Sequence, residues 1–588
     1  MIIKIIKIYK KVSISGLLWV FIISISIPFI QNLMLVYTEK IGNSLSRETA
    51  GTVISLLIIQ SAIYFLLQLL MLANKMIENK LNPKYDFYLN SSIKRKLSKI
   101  KMYLLDDSEI HNKIITVQQI IPQIGVSLLK SILTLFQALI AILGMVYILR
   151  NLNFFILILL VLFSLVNIFI SHIFNKFQLQ IYNSSSEHTR KREYFSRIFS
   201  NRELMAENRI FQLHNFFIEK WRELFWVVET PNINLNNKRS ILVYTIQILI
   251  NFVQLAMLIL FINTSDSIIS IGSFMLLTQA ILQLQGQANE FVASVSHIHQ
   301  TITFLPKYFE VLNLPEEQED QGINFSGLKQ EININCLSFK YKNSIEPSLN
   351  NVSFTVKRGE SVAIVGHNGS GKTTLVKCML GLYDEFVEGS IYYDGVSATE
   401  YNKESFRKKV AVLFQNYGKY PLTFKQNIAL GDLNRTGDEF LYSKSMNLSN
   451  AWSVVDSLPK GSNTVLSPEF DGGVDMSGGQ WQKTALARMY FRDADIIFLD
   501  EPTSAIDPIS ENEIYKQFFE ISKEKTSIIL THRLGMCKWV DKVIVMEDGR
   551  VKEIGTHEEL LKSGLLYKKM YLAQSEWYTT EKILVKPI

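Results

Sequence analysis

Long uncharged apolar stretches recur through the first half of the chain and vanish from the second. A bilayer core takes about 20 mostly apolar residues per helix, and Ile14–Tyr37, Val53–Leu72, Val126–Leu149, Phe154–Ile173, Ile241–Ile262 and Ile271–Val295 reach that length. The last is the least apolar. So many stretches of this kind in one half argue against buried helices of a soluble protein. Between the second and third stretches, and again between the fourth and fifth, helical periodicity runs on through polar sequence, which predicts membrane helices prolonged into cytoplasmic hairpins. Further along, the apolar runs shorten: Ser361–Val365, Ile496–Leu499 and Ser527–Leu530 read as buried strands of an α/β sheet. The predicted organisation is a six-helix transmembrane domain over 1–311, a polar acidic linker over 312–328, an α/β domain over 329–575 and a tail over 576–588.

Charge then orients the helices. Lysines 4, 7, 10 and 11 precede the first stretch, and Lys75, Lys80, Lys84, Lys94, Arg95, Lys96, Lys99 and Lys101 fill the first long loop. Arg190, Lys191, Arg192, Arg197, Arg202 and Arg209 fill the second, while the opposite loops are short and poor in basic residues. Basic excess marks the cytoplasmic side, so both termini and the α/β domain are expected in the cytoplasm of a multi-pass protein of the cell membrane. The net charge of +7 over 588 residues therefore reports topology, and no nucleic-acid partner is expected. The opening Met1–Lys11 mixes isoleucine with lysine and predicts an amphipathic elbow along the inner leaflet. No cleavable targeting segment is expected, and Cys336, Cys378 and Cys537 imply neither a disulfide framework nor a metal cluster.

The chemistry sits in three ordered motifs. Gly366, His367, Asn368, Gly369, Ser370, Gly371, Lys372, Thr373 and Thr374 fit G-x-x-x-x-G-K-[ST] between a strand and a helix. Backbone N–H groups of such a loop cradle phosphates, Lys372 reaches the terminal phosphates and Thr373 can ligate Mg2+. Asp500 closes an apolar strand, positioned to hold Mg2+ through water, and Glu501 follows it, placed to polarise the water that attacks the γ-phosphate. The third motif, Met476-Ser477-Gly478-Gly479-Gln480, lies between the two. ATP and Mg2+ are the cofactors this set predicts.

With these residues the chain resembles the ABC (ATP-binding cassette) ATPases, and its layout resembles the type I exporter branch, with a helical subdomain inserted in the P-loop nucleotide-binding domain. The resemblance implies roles for further residues. Tyr341 would stack on adenine, Gln415 would sense Mg2+ and the membrane domain, and His532 would contact the γ-phosphate. Ser477, Gly478, Gly479 and Gln480 would complete the ATP site of a second subunit, and Ser504 and Asp507 would lie in a loop crossing that interface. Met476 and Ile506 stand where leucine is usual, and both stay apolar. Since Lys372, Ser477, Glu501 and His532 are all present, a homodimer with two competent sites is expected. A short transverse helix at each hairpin tip would dock on the cassette: Leu104–Asn112 resembles the first, and the second is expected near Asn201–Asn208.

The cargo is harder to read. Gln60, Tyr64 and Gln68, then Gln247, Asn251 and Gln254, then Gln279, Gln283, Gln287 and Glu290 recur at helical spacing. They are either a translocation cavity, with Gln247, Asn251, Gln254, Gln279 and Gln283 as candidate substrate contacts, or hydrogen-bonding glue between helices. A narrower resemblance, carried by Gly366–Gly369, Phe414–Thr423 and Gly479–Arg488 and above all by Trp481, is to nisin- and subtilin-type lantibiotic exporters. It implies a modified peptide cargo, with separate modification or processing machinery, because the absence of cysteine before Cys336 excludes a cysteine-peptidase domain. A lipid or multidrug exporter of the same fold is the alternative. A soluble ABC ATPase of translation or DNA repair is the alternative of another class.

Overall fold

The computed structural model describes residues 8–45, 49–148, 154–264, 270–318, 321–342, 344–502, 515–516, 518–520 and 525–579, excluding some side chains within helices. The chain divides into two compact units: residues 1–100 with 108–315, and residues 101–107 with 316–588.

The first unit is helical. Its long helices are α1 (Ile14–Ser44) and α2 (Ala50–Leu97), followed, beyond the short α3 (Met102–Leu105), by α4 (Ser108–Ile124), α5 (Val126–Ile148), α6 (Phe154–Ile198), the short α7 (Arg202–Ile210), α8 (His214–Thr264) and α9 (Ile271–Leu312). Each of the six apolar stretches, the third as far as Ile148, falls in a different long helix of this unit. Among the described residues, α1, α2 and α5 are long and apolar enough to cross a membrane by length and composition. Many of their large apolar side chains, Ile58, Phe65 and Leu143 among them, face outward, as a lipid-facing surface requires. Where α1 meets α9 the backbones nearly touch: a Cβ on Gly42 would lie 2.5 Å from the Cα of Gly272, the close approach that small residues allow between membrane helices. The isoleucine-lysine segment is described from residue 8, where 8–12 are helical; Tyr9 is buried edge-on against Tyr85, with its hydroxyl donating to the carbonyl of Gly125 at 2.7 Å.

The second unit is α/β. A four-stranded antiparallel sheet has the order β2-β1-β4-β5, with β1 Glu331–Phe339, β2 Leu349–Lys357, β4 Val387–Tyr393 and β5 Val396–Ser397. A six-stranded sheet has the order β10-β9-β3-β8-β7-β6, with β3 Ser361–Val365, β6 Val410–Leu413, β7 Ile496–Asp500, β8 Thr526–Thr531, β9 Lys542–Glu547 and β10 Arg550–Gly555. Strands β3, β7 and β8 are buried at every position because both faces are covered. Val362, Ile364, Phe498 and Ile528 point into one core, and Val365, Ile497, Leu499 and Ile529 into the other, the period-2 alternation of a strand. A third core belongs to a helical subdomain and includes Phe424, Leu441, Met446, Met476 and Trp481.

Within the expected linker, Glu317 is gripped by Lys403 and Arg407 at 3.0 and 2.7 Å, and residue 323 bridges to residue 401. Burial would raise the Glu317 carboxyl, but the bonds from Arg407 and Lys403 outweigh it and hold the group below the usual range. The expected transverse helix 104–112 breaks at Asp106 and Asp107, and its first part, 104–107, belongs with 101–103 to the second unit while Ser108 onward belongs to the first. Where the second was expected, near Asn201–Asn208, a short helix is present, α7, Arg202–Ile210.

Candidate nucleotide site

The glycine loop runs from β3 into α10 (Lys372–Met379). Gly371 caps this helix with φ +96°, and a Cβ there would meet the carbonyl oxygen of Ser348 at 2.5 Å, so the position demands glycine on two counts. Lys372 lies buried under the loop, its ammonium donating to the carbonyls of Gly366 at 2.8 Å and His367 at 2.9 Å. Burial pushes its pKa down, and the carboxylates of Glu501 and Asp500 oppose that shift.

The strand β7 delivers Asp500 and Glu501 to the same place. Thr373 Oγ1 donates to Asp500 Oδ2 at 3.0 Å, close to the separation of about 2.9 Å expected of adjacent oxygens around Mg2+ at 2.0–2.1 Å. Asp500 is 5 % exposed, and burial pushes its carboxyl up against the pull of Thr373. With the amide oxygen of Gln415 these hard oxygen donors fit Mg2+. Glu501 takes a left-handed φ of +50° and is held from both sides: Gln415 Nε2 donates to its Oε2 at 2.9 Å, and His532 Nδ1 lies 3.1 Å from its Oε1.

These groups line one cleft of about 1150 Å³, bounded by residues 366–374, Gln415, Asp500, Glu501 and His532, together with Met570, Ala573 and Gln574. Tyr341 stands beside the loop, its hydroxyl 3.3 Å from Thr374 Oγ1. Sequence reasoning missed Gln574 and also Gln482, whose amide reaches the carbonyl of Glu501 at 3.5 Å. No local signal marks either residue, since each acts on a partner far away in the chain.

Ser477, Gly478, Gly479 and Gln480 lie elsewhere, at the start of α14 (Gly478–Phe491), once α11 (Lys403–Lys408), α12 (Phe424–Ala429) and α13 (Glu439–Leu448) have been counted. Ser477 and Gln480 form a reciprocal capping box there, outside the lining of the cleft. Ser504 and Asp507 fall outside the described residues. Trp481 is buried in the core of the helical subdomain. The neighbouring motif residues are likewise knit together: Arg488 donates to the carbonyls of Asn427 and Gly418 and stacks on Tyr420.

Within the second unit, residues 101–107 lie close to Tyr383 and Tyr341. Tyr383 donates to Asp106 at 2.7 Å and packs edge-on against Tyr341 at 5.6 Å between ring centroids. Lys101 pairs with Glu385, Lys342 with Asp107, and Tyr103 packs edge-on against Phe386.

Residues 349–504 match the ABC transporter family. This segment is an ABC-type ATP-binding domain. Over most of its length the chain is similar to the subtilin transport ATP-binding protein SpaT of Bacillus subtilis, at 29% identity covering 91% of this chain and 87% of that one. It is similar at 29% identity to the nisin transport ATP-binding protein NisT of Lactococcus lactis subsp. lactis, covering 87% and 86%. An ATP-dependent lipid A-core flippase of Legionella pneumophila (strain Paris) is 33% identical over 54% of this chain and 53% of its own. The fold matches a bacterial Atm1-family ABC exporter solved with ATP bound, with TM-score 0.81 and 17% identity over 95% of this chain and 97% of the other. The chain is thus an ATP hydrolase coupled to transport, of the ABC exporter type, in a membrane protein.

In the membrane unit, Gln247 donates to Asn251 at 3.4 Å and Gln285 donates to the same oxygen at 3.3 Å. Gln279 and Gln283 make no such bond among the hydrogen bonds described, and the Gln254 side chain lies outside the described residues. The α8 to α9 link therefore runs through Gln285, about 200° around the helix from Gln283 at 100° per residue.

Proposed function

We propose that the chain exports a modified peptide across the cytoplasmic membrane as a homodimer, crossing the bilayer several times with its termini and ATP-binding domain on the cytoplasmic side. The observation that carries the peptide reading is coverage. Similarity to the subtilin and nisin transport proteins extends over about nine-tenths of the chain, membrane half included, whereas similarity to the lipid A-core flippase covers about half. That flippase match, at 33% identity, keeps lipid as the second reading.

In this mechanism the loop N–H groups and Lys372 hold the β- and γ-phosphates. Mg2+, held by Thr373, Asp500 and Gln415, would neutralise phosphate charge. Glu501 orients the attacking water, and its position between Gln415 and His532 supports that role. His532 faces the γ-phosphate, and Ser477 of the second copy closes the site from across the dimer. Residues 101–107, continuous on both sides with membrane helices and bound beside Tyr341, would carry the state of the nucleotide to the transport path.

Mass spectrometry of exported material from cells carrying the intact chain or Glu501→Gln tests the reading. Loss of one modified peptide from the medium with Glu501→Gln is expected. An unchanged peptide profile with an altered lipid profile would favour the second reading.

A further inference from the structure

The backbone that carries His532 leaves the sheet at the end of β8 and enters a 3-10 turn, Leu534–Trp539, so no strand ladder holds it. Its peptide groups are held from another element. Gln574, on the C-terminal helix α16 (Leu566–Thr579, after α15 His557–Ser563), donates from Nε2 to the carbonyl of His532 at 2.7 Å. The same amide accepts the N–H of Leu534 through Oε1 at 2.7 Å. One planar side chain thus pairs with two peptide groups on either side of Arg533, as a neighbouring strand would. A carboxamide offers donor and acceptor side by side in one plane, as a peptide group does.

The clamp is itself anchored. Glu553 accepts the N–H groups of Leu565 and Leu566 at 2.8 Å and of Tyr567 at 3.0 Å, which ties down the first turn of α16. Tyr567 is fully buried, and its hydroxyl lies 2.7 Å from His557 Nδ1. Gln574 stands eight residues beyond Leu566, about 12 Å along the helix at 1.5 Å per residue. Met570, Ala573 and Gln574, spaced three and four apart, share one face, and that face lines the nucleotide cleft.

We propose that Gln574 is a positioning residue for ATP hydrolysis, fixing the backbone of His532 so that the imidazole stays against Glu501 and toward the γ-phosphate. The inference rests on the reading of His532 given above. Side-chain misplacement of about 1 Å can cost about 100-fold in rate; partial release of an otherwise intact loop should cost less.

The test uses the full chain in lipid nanodiscs and measures ATP turnover in wild type, Gln574→Met, His532→Ala and the double variant. Methionine keeps the bulk and removes both hydrogen bonds. Gln574→Met is expected to lower kcat about tenfold with KM for ATP within about twofold, the pattern of an interaction made in the transition state. Adding it to His532→Ala should change the rate less than about twofold, because residues acting as one unit are non-additive. A wild-type kcat for Gln574→Met, or the same proportional loss with and without His532, overturns the proposal. A wild-type rate for His532→Ala alone removes the role of His532 itself, a result separable from the first. If Gln574→Met does not fold, Gln574→Glu keeps the acceptor for Leu534, loses the donor to His532, and carries the same expectations.

Discussion

Tyr383→Phe removes one oxygen and leaves the ring packed against Tyr341 and Phe339. The lost bond, 2.7 Å to Asp106 Oδ2, is one to a carboxylate, and such bonds contribute about 1.5–3 kcal/mol. Tyr383 is only 2 % exposed, and burial, then the bond to Asp106, push its phenol far above the usual tyrosine range. Asp106 is exposed, so water replaces its lost partner and the net loss falls to about 1.4 kcal/mol, a tenfold shift in how firmly residues 101–107 stay bound. Lys101–Glu385, Lys342–Asp107 and Tyr103–Phe386 remain, so the segment loosens without detaching. The assay compares ATP turnover with transport in the same vesicles. Basal turnover should stay within about twofold, and cargo moved per ATP should fall several-fold. A double-mutant cycle with Asp106→Asn should return about 1 kcal/mol of coupling. Unchanged transport per ATP, with no coupling between the two substitutions, would refute the reasoning.

Other consequences can be checked as directly. Trp481→Ala should destabilise the ATP-binding unit by about 3–5 kcal/mol, since it empties a large buried site; Trp481→Phe should lower the melting temperature less and leave the cargo profile unaltered, and a changed cargo with unchanged stability would contradict its place in the core. Gly272→Ala sets a Cβ 2.2 Å from the carbonyl oxygen of Glu39, an overpacking expected to cost about 1–3 kcal/mol and to appear as a lower melting temperature in detergent. Burial, and secondarily Lys538, holds the His557 imidazole below its ordinary pKa, with Glu558 opposing. The neutral form is therefore favoured in the fold, the stability it contributes is present above the unfolded value of about 6.5, and it is lost as pH falls through the lower folded value. Amide protection factors in α16, corrected for the intrinsic exchange rate, should fall on acidification below about pH 6.5, and His557→Gln should flatten that dependence.

How much could be read in advance depended on the range of the interaction. Strand, glycine loop and helix around Lys372 form from consecutive residues, so period and glycine spacing reveal them. The meeting of Glu501 with Gln415 was implied by a resemblance, because nothing local pairs residues 86 positions apart. Gln574 escaped notice for the same reason, as did the break that assigns 101–107 to the ATP-binding unit. Trp481 carries the resemblance to nisin- and subtilin-type exporters from within the core of the helical subdomain, and the similarity to those proteins extends over most of the chain. On the helices, the spaced set Gln279 and Gln283 marks one face of α9, while the bond across to Asn251 of α8 comes from Gln285 on nearly the opposite face, a pairing that only the neighbouring helix reveals.

Residues 101–107 also impose an order of events during synthesis. Asp106 and Tyr383 are 277 positions apart, and a ribosome adding about 5–20 residues per second needs roughly 15–55 s to cover that distance. For that interval Tyr103, which packs against the core of the ATP-binding unit in the finished fold, has no surface to pack against, and the segment that carries it waits uncovered. Maturation of the N-terminal half therefore finishes only after the ATP-binding unit has been made, and a truncation or pause late in translation would leave a defect displayed near residue 104 and not only at the break itself.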